Sequence, residues 1–181
     1  GAPYFSTHQA PNRLEADGTI TTIITGIPSR GIAIASPSLI YVPSGSTIQK
    51  VTLTGGTWAV TKLAGVDGAC WLQDGPGAQA QFCYPMGMAL DPAGNLYVAD
   101  SINGAIRKVT PGGDVSTFAG RDPNDFRGLI EPTGVVFAHG GNLLVTEVGG
   151  EIASISPSHV TTLIGGSRGS NDGPYDTVVG V

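Results

Sequence analysis

The residues of this chain whose types and spacing could do chemistry are few: two cysteines, three histidines, four Asp-Gly pairs, scattered serines and one Arg-Lys pair. Cys70 and Cys83 stand thirteen positions apart. A disulfide between them closes a loop of about fourteen residues and contributes about 3 kcal/mol on a chain-entropy account. Such a bond persists in an oxidising compartment. The alternative is a pair of buried reduced thiols. Zinc is disfavoured, because no third or fourth soft ligand lies near the pair. His8, His139 and His159 fall at non-equivalent places and read as surface residues, so no metal cluster is expected. Asp67, Asp74 and Asp172 each precede Gly, which is first a turn signal, and none has the alternating oxygen ligands of a calcium loop. Ser101 and Ser116 lack a Gly-x-Ser-x-Gly elbow and a partnered His, which leaves nucleophilic catalysis without support. The expectation is therefore no catalytic residue, no cofactor and no metal site. No Asn-x-Ser/Thr sequon occurs, so N-glycosylation is not expected either.

Composition limits the scaffold that holds these residues. The 181 residues include 28 Gly and 13 Pro, yet 40% are hydrophobic and the mean hydropathy is +0.13. A chain this apolar buries enough surface to offset its ordering entropy and is not a disordered tail. Only 13% of residues are charged, and 9 Lys+Arg against 14 Asp+Glu leave a net charge of −5. A nucleic-acid partner needs clustered cations and is not expected. The charge-free stretch 31–49 is broken by Pro37, Pro43 and several serines, so membrane insertion is not expected. The chain opens without Met or a basic n-region, and reads as a processed or excised piece.

Helical periodicity is nearly absent. Short runs of Val, Ile, Thr, Leu and Tyr alternate with Gly, Pro, Asn, Asp and Ser clusters, the pattern of a sandwich, barrel or propeller. Internal repeats decide among these. Four segments end alike, at Gly26, Gly65, Gly120 and Gly165, with spacings of 39, 55 and 45 residues. Three inner-strand openings precede the last three of those glycines: Pro28 with Gly31 to Ile34, Pro85 to Leu90, and Pro132 to Phe137. Second strands follow at 38–43, 95–100 and 142–147, and third strands at 47–51, 105–109 and 151–155. Four strands at a period near 45 make a propeller blade.

These residues resemble a known repeat. Asp74-Gly75 through Phe82, Pro85 with Gly87 and Asp91, Gly94-Asn95 with Tyr97 and Asp100, Asn103, Ile106-Arg107-Lys108-Val109 and the closing Gly120 look like one near-complete NHL repeat. The likeness is strong over 74–120, moderate over 128–173 and weak over 28–65. It implies an all-β, NHL-type β-propeller of four-stranded antiparallel blades. The expected division is an incomplete blade at 1–26, a blade at 27–65, a Cys-bearing connector at 66–84, blades at 85–120 and 121–166, and the start of another at 167–181. That amounts to about three complete blades and one split blade, read as part of a larger propeller. The split blade lacks its inner strand, which is expected to come from chain outside this register or from Thr177 to Val181. In the NHL third strand the stems of Arg107 and Lys108 pack along the blade, with heads reaching solvent or Asp100. Leu90, Tyr97, Ile106 and Phe118 are expected in the core, and Gln79 and Lys108 outward.

A propeller without convergent acid, base, metal or nucleophile reads as a non-enzymatic interaction scaffold. The two cysteines sit inside the longest connector, where a disulfide would staple an insertion. The expected location is therefore extracellular or at the cell surface. The expected partners are other protein chains or further domains of the same longer chain, with assembly into a larger structure. NHL units with a Cys-bearing connector are similar to the NHL-containing glycoproteins of algal flagellar hairs, the mastigonemes, which suggests a building unit of a surface filament. Two alternatives stay open. One is a metal-dependent lyase or lactonase-like propeller enzyme, the other an intracellular NHL module that binds RNA or protein.

Overall fold

A computed structural model of the chain describes residues 3–7, 9–120, 129–159 and 161–165. Every regular element among them is a strand, grouped in four antiparallel meanders. The first holds β1 (Tyr4–Ser6), β2 (Pro11–Leu14) and β3 (Ile20–Thr22). The second holds β4 (Ala33–Ser36), β5 (Leu39–Ser44), β6 (Thr47–Thr54) and β7 (Thr57–Ala64). The third holds β8 (Pro85–Leu90), β9 (Leu96–Asp100), β10 (Ala105–Val109) and β11 (Val115–Gly120). The fourth holds β12 (Pro132–Phe137), β13 (Leu143–Glu147), β14 (Ile152–Ile155) and β15 (Thr161–Gly165). The fold is an all-β propeller, with three four-stranded blades and, in 4–22, a three-stranded sheet. The segments 171–174 and 177–181, with the expected connector and closing strand, lie outside the described residues.

Side-chain alternation explains why the strands of the third blade read as nearly continuous apolar runs. Leu96 and Val98 face one neighbouring blade and join Ala33, Tyr41, Ile48 and Phe82 in one core. Tyr97, Ala99 and Ile106 face the other way and join Leu143, Val145, Ala153 and Ile155 in a second. Both faces of the blade are thus covered, so a polar residue on either needs a buried partner. A third core, built on Ile23, Ile40, Val42 and Val51, seals the first sheet against the second. Tyr97 packs edge-to-face on Phe118 of its own blade and on Phe137, with ring centroids 4.9 and 5.0 Å apart, and the second contact ties the third blade to the fourth.

Of the expected core set, Tyr97 and Ile106 are buried, while Leu90 and Phe118 are half-buried against different cores. Gln79 is exposed. Lys108 does not point straight out: it is half-buried, with its ammonium 5.8 Å from the centre of the Tyr97 ring. The stem gains apolar contact by lying across the aromatic face.

The inner strands meet through glycine. A Cβ on Gly87 would lie 2.7 Å from both the Gly134 Cα and the Thr133 carbonyl oxygen, and one on Gly31 would reach the Met86 carbonyl. Only a residue without a side chain allows this approach. The third and fourth strands share a second device. In each full blade the register slips by one residue just before the closing glycine, so that Leu63, Phe118 and Ile164 are the extra residues of equivalent bulges.

Gly87→Ala should therefore lower stability by about 1–3 kcal/mol, as overpacking does. Urea denaturation read by tryptophan fluorescence measures this, and an unchanged midpoint would mean that the inner strands do not approach so closely.

Candidate functional site

The connector 66–84 holds both cysteines, Asp67 and Asp74. Its outer part turns back on itself: Gln73 and Gln81 face each other across an antiparallel bridge, with the Gln81 N–H donating to the Gln73 carbonyl at 3.0 Å. Gly75 pairs in the same way with Val115 of β11, so the loop is hydrogen-bonded to its own blade. Cys70 and Cys83 are disulfide-bonded across its base.

The charged group that organises this loop is Arg107, at the centre of β10 and fully buried. One terminal nitrogen donates to the Asp100 carboxylate and to the Gln81 carbonyl, each at 2.8 Å. The other donates to the Gln73 carbonyl at 2.8 Å and to Asp74 at 2.7 Å. The Nε hydrogen finds no acceptor among the described residues. One planar fork thus holds both arms of the connector hairpin and two carboxylates, an arrangement that the point charge of a lysine does not reproduce. The ring of Phe82 lies 5.1 Å from the guanidinium carbon.

Asp100, also fully buried, is the second hub. It accepts from the Cys83 N–H at 2.7 Å and from the Asn103 amide at 2.9 Å, besides Arg107. Asn103 also donates to the Trp71 carbonyl at 3.0 Å, which adds the disulfide loop to the network. Burial pushes the Asp100 carboxyl above its ordinary range, against the pull of Asn103, the Cys83 N–H and Arg107. Asp74 is half-exposed and behaves oppositely. Burial raises it, but the Thr117 N–H, Arg107 and the Thr117 hydroxyl together hold its carboxyl below the ordinary range.

The sequence expectations meet this geometry unevenly. Asp74 does more than turn the chain: it clamps the connector to β10 and β11, while Gly75 beside it adopts φ 129°. Asp91 behaves as a turn residue, accepting from the Asn95 N–H and side-chain amide at 2.8 and 2.7 Å across the turn that contains Gly94. Asp67 forms an exposed pair with Lys62. Pro85 opens β8, and Gly120 closes β11 against the Gly104 carbonyl. His139 is exposed, and His159 stacks against Phe118 with its Nδ1 2.7 Å from the Phe118 carbonyl. His8 and Asp172 lie outside the described residues. Ser101 is buried and Ser116 exposed. Among the described residues no group of three His, Cys, Asp or Glu side chains converges to hold a metal.

The stretch from Phe82 to Val109, which contains Asp100, Asn103 and Arg107, matches the family model of the NHL repeat. The chain is a β-propeller that carries an NHL repeat in its third blade. Its fold is shared by an auxiliary nutrient binding protein from Bacteroides thetaiotaomicron, with a TM-score of 0.66 at 23% identity over 80% of this chain and 42% of that one. Virginiamycin B lyase from Staphylococcus aureus is similar over 91% of this chain and 52% of its own, with a TM-score of 0.61 and 16% identity. A gluconolactonase from Xanthomonas campestris gives a TM-score of 0.54 at 18% identity, over 78% of this chain and 42% of its own. This chain thus spans about half the length of these proteins or less. No curated protein matches the sequence.

Within the propeller, the Arg107 clamp belongs to one blade. The equivalent positions are Gln49 in β6 and Ala153 in β14, read from their pairing with the second strands. Glu147, at the place of Asp100, keeps part of its role: its carboxylate accepts the Ile130 N–H at 3.0 Å, as Asp100 accepts that of Cys83. Half of Arg107's partners are backbone carbonyls, which residue identities do not announce. Only the matching of Arg107 with Asp100 in the repeat pointed to the site.

Arg107→Met leaves Asp100 buried and unpaired, and Arg107→Lys cannot span four acceptors. Both should cost about 3–5 kcal/mol in chemical denaturation. The Asp74 carboxyl is held below its ordinary value, so its stabilising contribution is present above that value and is lost as pH falls through the lowered one. The stability gap between wild type and Asp74→Asn should therefore be constant from pH 7 to 5 and close as pH falls below about 4. A gap that widens on acidification would contradict this sign.

Proposed function

We propose that this propeller is a non-enzymatic, extracellular or cell-surface scaffold that binds other protein chains or further domains of its own longer chain. The observation that supports the reading most is the use made of the charged NHL residues. Arg107, Asp100 and Asp74 bind one another and the backbone of the connector, so that, the Arg107 Nε hydrogen aside, these groups are engaged in holding a loop. Catalytic groups need free valence toward a substrate. The Cys70–Cys83 bond supports an oxidising location, where such a staple persists. The low charge and a surface rich in Gly, Ser and Thr suit a part that is assembled into a larger structure, a surface filament among the possible settings.

A second reading, a metal-dependent lyase or lactonase-like enzyme, draws support from the shared fold with virginiamycin B lyase and the gluconolactonase. The two part on metal and turnover. The scaffold reading expects no Zn²⁺ or Ca²⁺ retained after dialysis of the metal-loaded protein, and no hydrolysis of a lactone panel. One retained equivalent with turnover would overturn it.

A further inference from the structure

The two ends of the propeller differ in chemistry. One end carries the turns 54–57, 91–95, 110–114, 138–142 and 156–159, built from Gly, Pro, Asn, Asp, Ser and Thr with Ala93, Ala138, His139 and His159, and no large exposed hydrophobic lies in them. The opposite end carries the connector and the turns after β9 and β13. There Trp71, Tyr84, Ile102, Ile130 and Val148 are all exposed, Trp71 by 73% and Ile102 by 60%.

Hydrogen bonds hold these residues in one belt. Asn103 donates to the Trp71 carbonyl, the Ile102 N–H to that of Cys83 at 3.1 Å, and the Ser101 N–H to that of Tyr84 at 3.3 Å. Gly104 abuts the Leu129 carbonyl, so closely that a Cβ there would lie 2.7 Å away, and this brings the turn against Ile130. The Val148 N–H then donates to Glu131 at 3.2 Å. The belt is preorganised: the disulfide and the Arg107 clamp fix the loop that presents Trp71. Little entropy remains to be lost on docking.

One cation stands in this belt. Arg30, just before the inner strand of the second blade, lays its guanidinium carbon 4.0 Å from the centre of the Tyr84 ring, across the junction to the third blade. It makes no ion pair among the described residues. Stacking leaves the edge of the fork free to grip a carboxylate. Trp, Tyr and Arg are the residue types that dominate binding energy at protein interfaces, and aliphatic neighbours supply the water-excluding surround. Aliphatic side chains offer little to a sugar ring, which argues for a protein.

We infer that this end, centred on Trp71, Tyr84 and Arg30, docks a partner protein through an apolar segment that carries a carboxylate, the carboxylate pairing with Arg30. The inference rests on the scaffold reading and names its surface and partner chemistry. The probe is a displayed library of twelve-residue peptides selected on the immobilised, disulfide-intact protein. Enriched peptides should combine Asp or Glu with aliphatic or aromatic residues. Their affinity should fall roughly thirtyfold in Trp71→Ala and in Arg30→Glu, and stay unchanged in His139→Ala at the opposite end. Matching melting temperatures establish that the variants are folded. Enrichment of basic peptides, or of none, would overturn the inference, as would binding of polygalacturonate that depends on Trp71 with no peptide enriched. Peptides indifferent to both substitutions would sink this surface and leave the scaffold reading standing. Retained metal with turnover would sink the scaffold reading itself.

Discussion

A buried guanidinium has to be satisfied, and around Arg107 that requirement shapes the widest connector of the propeller. Removing a cation from water costs several kcal/mol, recovered only if opposite charge and acceptors surround it closely. Asp100, Asp74 and the carbonyls of Gln73 and Gln81 provide that shell. Their convergence fixes the path of the chain from the outer strand of one blade to the inner strand of the next. With the loop so held, Phe82 fills the core between the second and third blades. The disulfide at the base of the loop acts on the same segment by another means, reducing the freedom of the unfolded chain.

The blades were legible in the sequence because their causes are local. Alternating apolar residues and closing glycines recur, a Pro-x-Gly opens two blades, at Pro85 and Pro132, and Pro28 with Gly31 a third, and the inner glycines sit where two backbones nearly touch. The cysteine pair was legible for the same reason, as an interruption of a repeating pattern. The environment of Arg107 was only half legible. Its pairing with Asp100 follows from the repeat, but the connector carbonyls of Gln73 and Gln81 that complete its shell do not. Period-two alternation already sets Arg107 and Lys108 on opposite faces, so one enters the seam between blades while the other lies over Tyr97. The exposed belt around Trp71 was not legible at all. Its members come from a connector, two turns and two strand openings, and only the folded chain brings them to one end.

The division of labour between the two ends follows from the same connectivity. The hairpin turns at one end are built mostly from small and polar residues, whereas Ile102 and Val148 stand exposed in hairpin turns at the other. The connectors at that end are longer and can carry large side chains, provided that something holds them still. In the third blade, the clamp and the disulfide do so.

Native-state hydrogen exchange tests most directly whether the connector is part of the rigid blade. The amides of Gly75, Gln81 and Cys83 are the ones to follow, since Gln81 donates within the clamped loop and Gly75 and Cys83 tie it to Val115 and Asp100 of the blade. Their protection should be of the same order as that of Val98 and Lys108 in the centre of the blade, opening only with the global transition. Exchange of these three amides at the rate of an open surface loop, with the blade still protected, would contradict the account.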